Sequence, residues 1–355
     1  MQPLQVARPS SVVEALIDVR GLKKYFPVDK GIFGPPRRWI KAVDGIDFTV
    51  LRGETFGLVG ESGCGKTTLS RMILRLERPT TGTISLEGKD IWPLTGQGLK
   101  NYRRMLQAVF QDPTSSLNPR MRIAEIVGEP MIANDAASKT RIKERVAEVL
   151  IEVGLPPDSA SLYPHEFSGG QRQRIAIARA LVWGATCVIL DEPVSALDLS
   201  IRAQILNLLK KLQQNRKLTY IFIAHDLAAI KYLSDRIGVM YLGKFVELGE
   251  TDDLYGNPLH PYTQALLSAA LPADPNAARR ETALAGEVPS ALTPPSGCRF
   301  HPRCPIAEAA CSEVEPELRE LRPNHWVACH LADRVRALSF YERSPSTFDI
   351  RGDTK

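Results

Sequence analysis

Apolar positions along the chain follow two rhythms. Ala15–Arg20 alternates weakly, as a half-buried strand does. Ile46–Val50 and Thr55–Val59 are apolar enough to predict strands, the second running into a glycine-rich turn. Cys187–Leu190 and Tyr220–Ala224 are short unbroken apolar runs, the pattern of strands covered on both faces. Elsewhere the spacing changes to i, i+3, i+4, i+7. Val146, Val149, Leu150 and Val153 predict a helix over 143–153 that ends at Gly154, and Ile201, Ile205, Leu208, Leu209 and Leu212 predict another over 201–212. Strands alternating with helices predict an α/β core with a largely parallel sheet. Pro27–Ile40, with Gly31, Gly34, Pro35 and Pro36, reads as a loop inserted into a sheet.

Both ends depart from this pattern. Residues 1–14 carry no periodicity and are expected to be a flexible N-terminus. From about Gly286, prolines 289, 294, 295, 302, 305, 316 and 323 punctuate a stretch holding four of the six cysteines. The expected division is a main domain over 15–270, a small Cys/Pro-rich C-terminal module over 271–335 with no long regular elements, and a polar tail over 336–355.

Composition narrows the function classes. With 355 residues, 44% hydrophobic and 24% charged, the chain is long enough for one large core and an appendage. The net charge of +5 comes from 45 basic and 40 acidic residues, too even a balance for a nucleic-acid binder. The longest apolar stretch, Ile175–Leu190, is interrupted by Arg179 and is shorter than the roughly 20 residues that a membrane span needs. The N-terminus lacks the apolar core of a secretory signal. A cytosolic chain is expected, attached to a membrane only through a partner, with its cysteines reduced.

Gly60–Thr67 reads GESGCGKT and matches G-x-x-x-x-G-K-[ST], between the apolar strand TFGLV and the helix-compatible TLSRMILRL. Loop residues Gly60, Glu61, Ser62, Gly63, Cys64 and Gly65 would turn backbone N–H groups onto phosphates. Lys66 would neutralise phosphate oxygens, the Thr67 hydroxyl would ligate Mg²⁺, and Thr68 continues the helix N-terminus. Cys64 is expected to fill space within the loop. At the end of Cys187–Leu190 stand Asp191, suited to the surroundings of Mg²⁺, and Glu192, suited to polarise the attacking water. These features alone leave helicase, kinase and GTPase readings open.

Ser168–Gly169–Gly170–Gln171 decides among them. Ser168 and Gln171 make a capping box, which accounts for the serine but not for two glycines inside the cap; those expose N–H groups to an approaching anion. EFSGGQRQR resembles the signature segment of ABC transporter ATPases, and the other motifs of that family follow in order over roughly residues 15–330 with none departing from the pattern. The resemblance implies a P-loop NTPase fold with a helical subdomain at about 112–167. Tyr25 in LKKYF resembles the aromatic that stacks on adenine, and Gln111 in VFQDP the glutamine that senses Mg²⁺ and the membrane subunit. Asp198 in SALD resembles the D-loop, and His225 in IAHD the switch histidine. It further implies that Ser168, Gly169, Gly170, Gln171 and Asp198 serve ATP bound by a second ATPase subunit.

Two features narrow the resemblance. The insert after LKKYFPV and the stretch NPLHPYTQALLSA are similar to dipeptide/oligopeptide importer ATPases. Such importers contain two transmembrane permease subunits, a second ATPase (a heterodimer) and an extracytoplasmic peptide-binding protein, and the ATPases lie peripherally on the cytoplasmic face of the inner membrane. Related importers of nickel, glutathione or antimicrobial peptides, and soluble non-transport ABC ATPases, are the alternatives. Cys298, Cys304, Cys311 and Cys329 have the spacing C-x5-C-x6-C-x17-C, and four thiols in a proline-rich module suggest metal ligation. The absence of C-x2-C pairs argues against common zinc folds. The subfamily resemblance favours a [4Fe–4S] cluster, with zinc or unliganded thiols as alternatives. His301, His325 and His330 are read as solvated loop residues, and Cys187 as inert core.

Overall fold

The computed structural model describes residues 15–28, 38–111, 116–134, 137–270 and 286–335. The expected flexible N-terminus, the polar tail and most of the Pro27–Ile40 loop lie outside the described residues, as do 112–115 of the helical subdomain and 271–285 of the C-terminal module.

Two sheets form the core. A four-stranded antiparallel sheet has the order β2-β1-β4-β5, from β1 (Ala15–Pro27), β2 (Trp39–Leu51), β4 (Thr81–Leu86) and β5 (Lys89–Asp90). The second sheet has eight strands. Its parallel part runs β9-β3-β8-β7-β6, from β9 (Arg236–Tyr241), β3 (Thr55–Val59), β8 (Thr219–Ile223), β7 (Cys187–Asp191) and β6 (Leu106–Val109). Every residue of β3 and β8 is buried, which is why their sequences are apolar without alternation. The antiparallel sheet lies on one face through Phe48, which stacks on Phe56 at 5.1 Å between centroids and meets Phe245 edge-on at 5.5 Å. Cys187 is fully buried in β7, and burial pushes its thiol up to about 12, so it behaves as core.

The other face carries helices. The helix Lys139–Glu152 contains the predicted apolar stripe, with Val146, Val149 and Leu150 buried, and Gly154 beyond it adopts φ 77°, the left-handed conformation that ends a helix without steric cost in glycine. With Ile123–Ile132 and Gly169–Leu181 it shares one hydrophobic core. Leu199–Arg216 extends the predicted second helix by two residues at its start and four at its end.

The C-terminal module does more than append. After β9 the chain returns as β10 (Lys244–Glu250), and the hairpin of β11 (Arg319–Arg322) and β12 (His325–Val327) adds to it. Trp326 lies opposite Leu248 and Val327 opposite Glu247, so the proline-rich tail completes the central sheet. A buried carboxylate secures the junction. Glu247 accepts hydrogen bonds from the backbone N–H groups of Leu259 (2.6 Å) and His260 (3.0 Å) and lies 2.7 Å from His325 Nε2. His325, expected to be a solvated loop residue, is instead buried, because it pairs with a fully buried carboxylate. His260 is also enclosed; burial pulls its imidazole down to about 3, so it stays neutral and its Nδ1 accepts from the Tyr262 N–H.

Candidate nucleotide site

The parallel strands share one direction, so their C-terminal ends form one edge, the place where open α/β sheets bind ligands. Beyond β3 comes Gly60–Thr67, beyond β6 Gln111, at the end of β7 Asp191 and Glu192, and beyond β8 His225. Residues separated by up to 165 positions thus reach one edge, because β3, β8, β7 and β6 are successive neighbours in the sheet.

The loop geometry requires glycine at two positions. Gly60 has φ 150°, and a Cβ there would lie 2.2 Å from the Met240 carbonyl oxygen; Gly65 has φ 113°, and its Cβ would lie 2.2 Å from that of Ala42. Gly65 caps the helix Lys66–Ile73, whose first N–H groups have no partner within the helix and face outward with partial positive charge. Lys66 is buried and folds back along the loop, donating to the carbonyls of Gly60 at 2.7 Å and Glu61 at 3.0 Å. Ser62, Gly63 and Thr67 are exposed and Thr68 is half-buried. Cys64 is buried, its sulfur 3.6 Å from Lys66 Nζ, and burial pushes its thiol up despite that ammonium, which suits the expected space-filling role.

Opposite the loop stands the acidic group. Glu192 Oε1 lies 2.5 Å from His225 Nε2. Glu192 adopts φ 52°, unusual for a side chain with a Cβ, and its N–H donates to the Ile223 carbonyl at 2.8 Å, tying the end of β7 to that of β8. Burial and the neighbouring Glu192 raise the carboxyl of Asp191, while Lys66 and Arg71 lower it. Carboxylates crowded at the rim of a phosphate loop are a donor set suited to a hard dication. Gln111 is exposed just past β6.

The signature segment is placed elsewhere. Ser168 Oγ accepts from the Gln171 N–H and Gln171 Oε1 accepts from the Ser168 N–H, so the predicted capping box forms. Ser168, Gly169, Gln171 and Asp198 are exposed, as is Leu199 at 79%. Gly170 is buried against the side chain of Ile201, which a Cβ would approach to 2.5 Å, so packing as well as anion approach demands that glycine. These residues form a surface of their own, backed by Leu197 and Ile201. Arg202 links that surface to the residue after His225: it pairs with Asp226 at 2.7 Å and donates to the Leu197 carbonyl.

Tyr25, on β1, donates its hydroxyl to Asp44 on β2. Burial pushes Asp44 up, but the Tyr25 bond and the Arg299 guanidinium outweigh it and hold the carboxyl below its usual range. Asp44 touches Tyr25, Tyr262 and Arg303 touch Glu61, and Arg299 reaches Tyr25 through Asp44. Tyr262 lies within NPLHPYTQALLSA, whereas the local signal for the two arginines is only their pairing in CRFHPRC, and Asp44 has none.

Cys298, Cys304, Cys311 and Cys329 line one small cavity with His301, His330 and the ring of Phe300. Burial pushes the thiol of Cys298 up to about 11 and that of Cys329 to about 12, and the neighbouring cysteines push the same way. Among the described residues no group of three or more His, Cys, Asp or Glu side chains is arranged to hold a metal ion. His301 and His330 turn to the carbonyls of Cys298 and Val314.

Comparison with known proteins bears on the family and the fold. The sequence model of the ABC transporter family matches residues 43–195, and that of the oligopeptide/dipeptide transporter C-terminal region matches 246–311. The chain is 51% identical to the oligopeptide transport ATP-binding protein AppF of Bacillus subtilis, over 90% of this chain and 98% of that protein. It is 50% identical to the putative oligopeptide transport ATP-binding protein YkfD of the same organism, over 89% and 95%. Among solved structures, CbiO1 of Clostridium perfringens, part of the transporter complex CbiONQ, superposes with a TM-score of 0.60 at 27% identity, covering 69% of this chain and 92% of that one. The ATP-binding cassette MJ0796, a dimer bound to ADP and Pi, gives 0.58 at 28% identity, covering 66% and 98%.

Proposed function

Since the chain belongs to the ABC transporter family of ATP-binding subunits, in its oligopeptide group, we propose that it hydrolyses ATP to power import of dipeptides or oligopeptides across the cytoplasmic membrane. The observation that carries the catalytic reading is the meeting, at one sheet edge, of the Lys66 loop with the Glu192–His225 pair. Gly60–Thr68 binds the phosphates and Tyr25 stacks on the base. Glu192 accepts the proton of the attacking water, and His225 holds that carboxylate and reaches the γ-phosphate. Thr67, Gln111 and Asp191 would hold Mg²⁺, which when bound draws charge from the β- and γ-phosphate oxygens.

Each chain supplies half of two sites. Ser168, Gly169, Gln171 and Asp198 are exposed, with Gly170 packed beneath them, and all are separate from the chain's own loop, which suits them to close on ATP held by a second ATPase subunit; the dimeric MJ0796 structure supports that reading. The closed state then lasts only while the γ-phosphate bridges both faces, and hydrolysis releases it. The remaining partners are two permease subunits, gripped by the helical subdomain, and an extracytoplasmic peptide-binding protein, with the ATPases on the cytoplasmic face. No described helix is long and apolar enough to cross a membrane. Co-expression with the two permeases should yield one complex whose ATPase rises on adding peptide-loaded binding protein. A free dimer hydrolysing ATP at the full rate, with the permeases left behind, would overturn import.

The four cysteines are proposed to ligate a [4Fe–4S] cluster, with zinc as the competing outcome. What supports this is that four thiols line one cavity. What it requires is deprotonation of the raised thiols and their movement toward a common centre. Anaerobically purified protein should contain iron and absorb in the visible. Zinc in place of iron would replace the cluster, and neither metal would leave four thiols.

A further inference from the structure

We propose that Arg299 and Arg303 are positioning residues of the nucleotide site, reaching from the cysteine-lined C-terminal module to hold Tyr25 and the phosphate loop in their binding geometry. Arg303 is buried and donates Nη1 to Glu61 Oε2 at 2.7 Å and Nη2 to Glu61 Oε1 at 3.0 Å, a two-point pairing that fixes the carboxylate plane as well as its place. Glu61 follows the first glycine of the loop. Its own N–H donates to the Tyr262 hydroxyl at 2.8 Å and its carbonyl accepts from Lys66 at 3.0 Å. The residue that shapes the loop entrance is thus gripped at side chain and backbone by residues 201 and 242 positions away, and the same residue holds the phosphate-binding lysine.

Arg299 acts on the other half of the pocket. Buried like Arg303, it donates to Asp44 and to the Leu242 carbonyl, while the second oxygen of Asp44 accepts the Tyr25 hydroxyl. Both arginines ride on one turn. His301 N–H donates to Cys298 O at 3.0 Å, Arg303 N–H to Phe300 O at 2.9 Å and Cys304 N–H to His301 O at 3.2 Å. Phe300 wedges the turn between Tyr241 and Tyr262, with centroids 5.4 and 5.5 Å away. One rigid turn, flanked by Cys298 and Cys304, therefore fixes the aromatic and the phosphate halves together. Lysine could not replace either arginine fully, because it lacks the planar fork that pairs with both oxygens of one carboxylate or spans a carboxylate and a carbonyl.

The proposal rests on reading Gly60–Thr68 as the ATP site, and the test separates the two. In the assembled transporter, ATP KM and kcat are measured for wild type, Arg303→Ala, Arg303→Lys, Glu61→Gln and the Arg303→Ala/Glu61→Gln double variant, with nucleotide affinity from a fluorescent ATP analogue. Arg303→Ala and Glu61→Gln are each expected to raise KM roughly 3- to 30-fold, by the same factor in both because they break one pair. The double variant should be no worse than either single one, and Arg303→Lys should restore part of the loss. If Arg303→Ala fails to fold, Glu61→Gln breaks the same pair from the half-exposed side. An unchanged KM in Glu61→Gln, or fully additive losses, would overturn the proposal while leaving the ATP site intact. Absence of ATP binding in the wild type would instead overturn the reading beneath it.

Discussion

Lys66→Ala should lower the ATPase rate of the assembled transporter by about 10²–10³-fold, the scale of removing one preorganised charged donor from developing phosphate charge. The structure adds a second reason for so large a loss. Lys66 holds the carbonyls of Gly60 and Glu61, so its removal frees the loop as well as deleting a positive charge. The two effects separate in a melting experiment. At a hundredfold excess over Kd, Mg-ATP should stabilise the wild type by about 2.7 kcal/mol, whereas Lys66→Ala should melt at the same temperature with and without nucleotide. A variant that hydrolyses ATP normally would remove Gly60–Thr67 from the mechanism.

Glu192→Gln should slow turnover by about 10²–10⁴-fold, the usual contribution of a positioned general base, while leaving ATP binding in place. The amide keeps the size and one acceptor of the carboxylate but cannot take a proton. Its contact with His225 Nε2, 2.5 Å away in the wild type, survives in weakened form. ATP then remains between two subunits, and gel filtration with Mg-ATP should show a lasting dimer or closed complex that the wild type forms only briefly. His225→Ala offers the complementary reading, because loss of the histidine leaves the carboxylate in place but unheld. Undiminished turnover in Glu192→Gln would transfer the base to another group. A stalled variant that never dimerises would break the link between bound nucleotide and closure.

The elements that were legible in the sequence share one property: their geometry is set by neighbours along the chain. Thr55–Val59 is bounded as predicted because an unbroken apolar run meets a glycine turn. Ser168 and Gln171 cap a helix because they stand three residues apart, and Gly154 ends one because it alone tolerates φ 77° at no cost. The phosphate loop is legible for the same reason. Its chemistry needs consecutive N–H groups, a lysine and a hydroxyl at fixed spacing, and that spacing is local.

Tertiary structure alone decided what long-range pairing decides. The short, charged β11 and the three residues of β12 carry no strand signal of their own, and they become strands because β10 offers an open edge. His325 reads as an ordinary loop histidine until Glu247 is found buried beside it. Arg299 and Arg303 look like solvated charges, yet they close ion pairs across 255 and 242 residues, at Asp44 and Glu61. Thus the sequence determined the nucleotide motifs, the α/β alternation and the family, since each is written in residues close together. Which buried charge answers which, and that the cysteine-bearing tail holds the phosphate loop, depends on desolvation and packing between distant segments, and these exist only once the chain has folded.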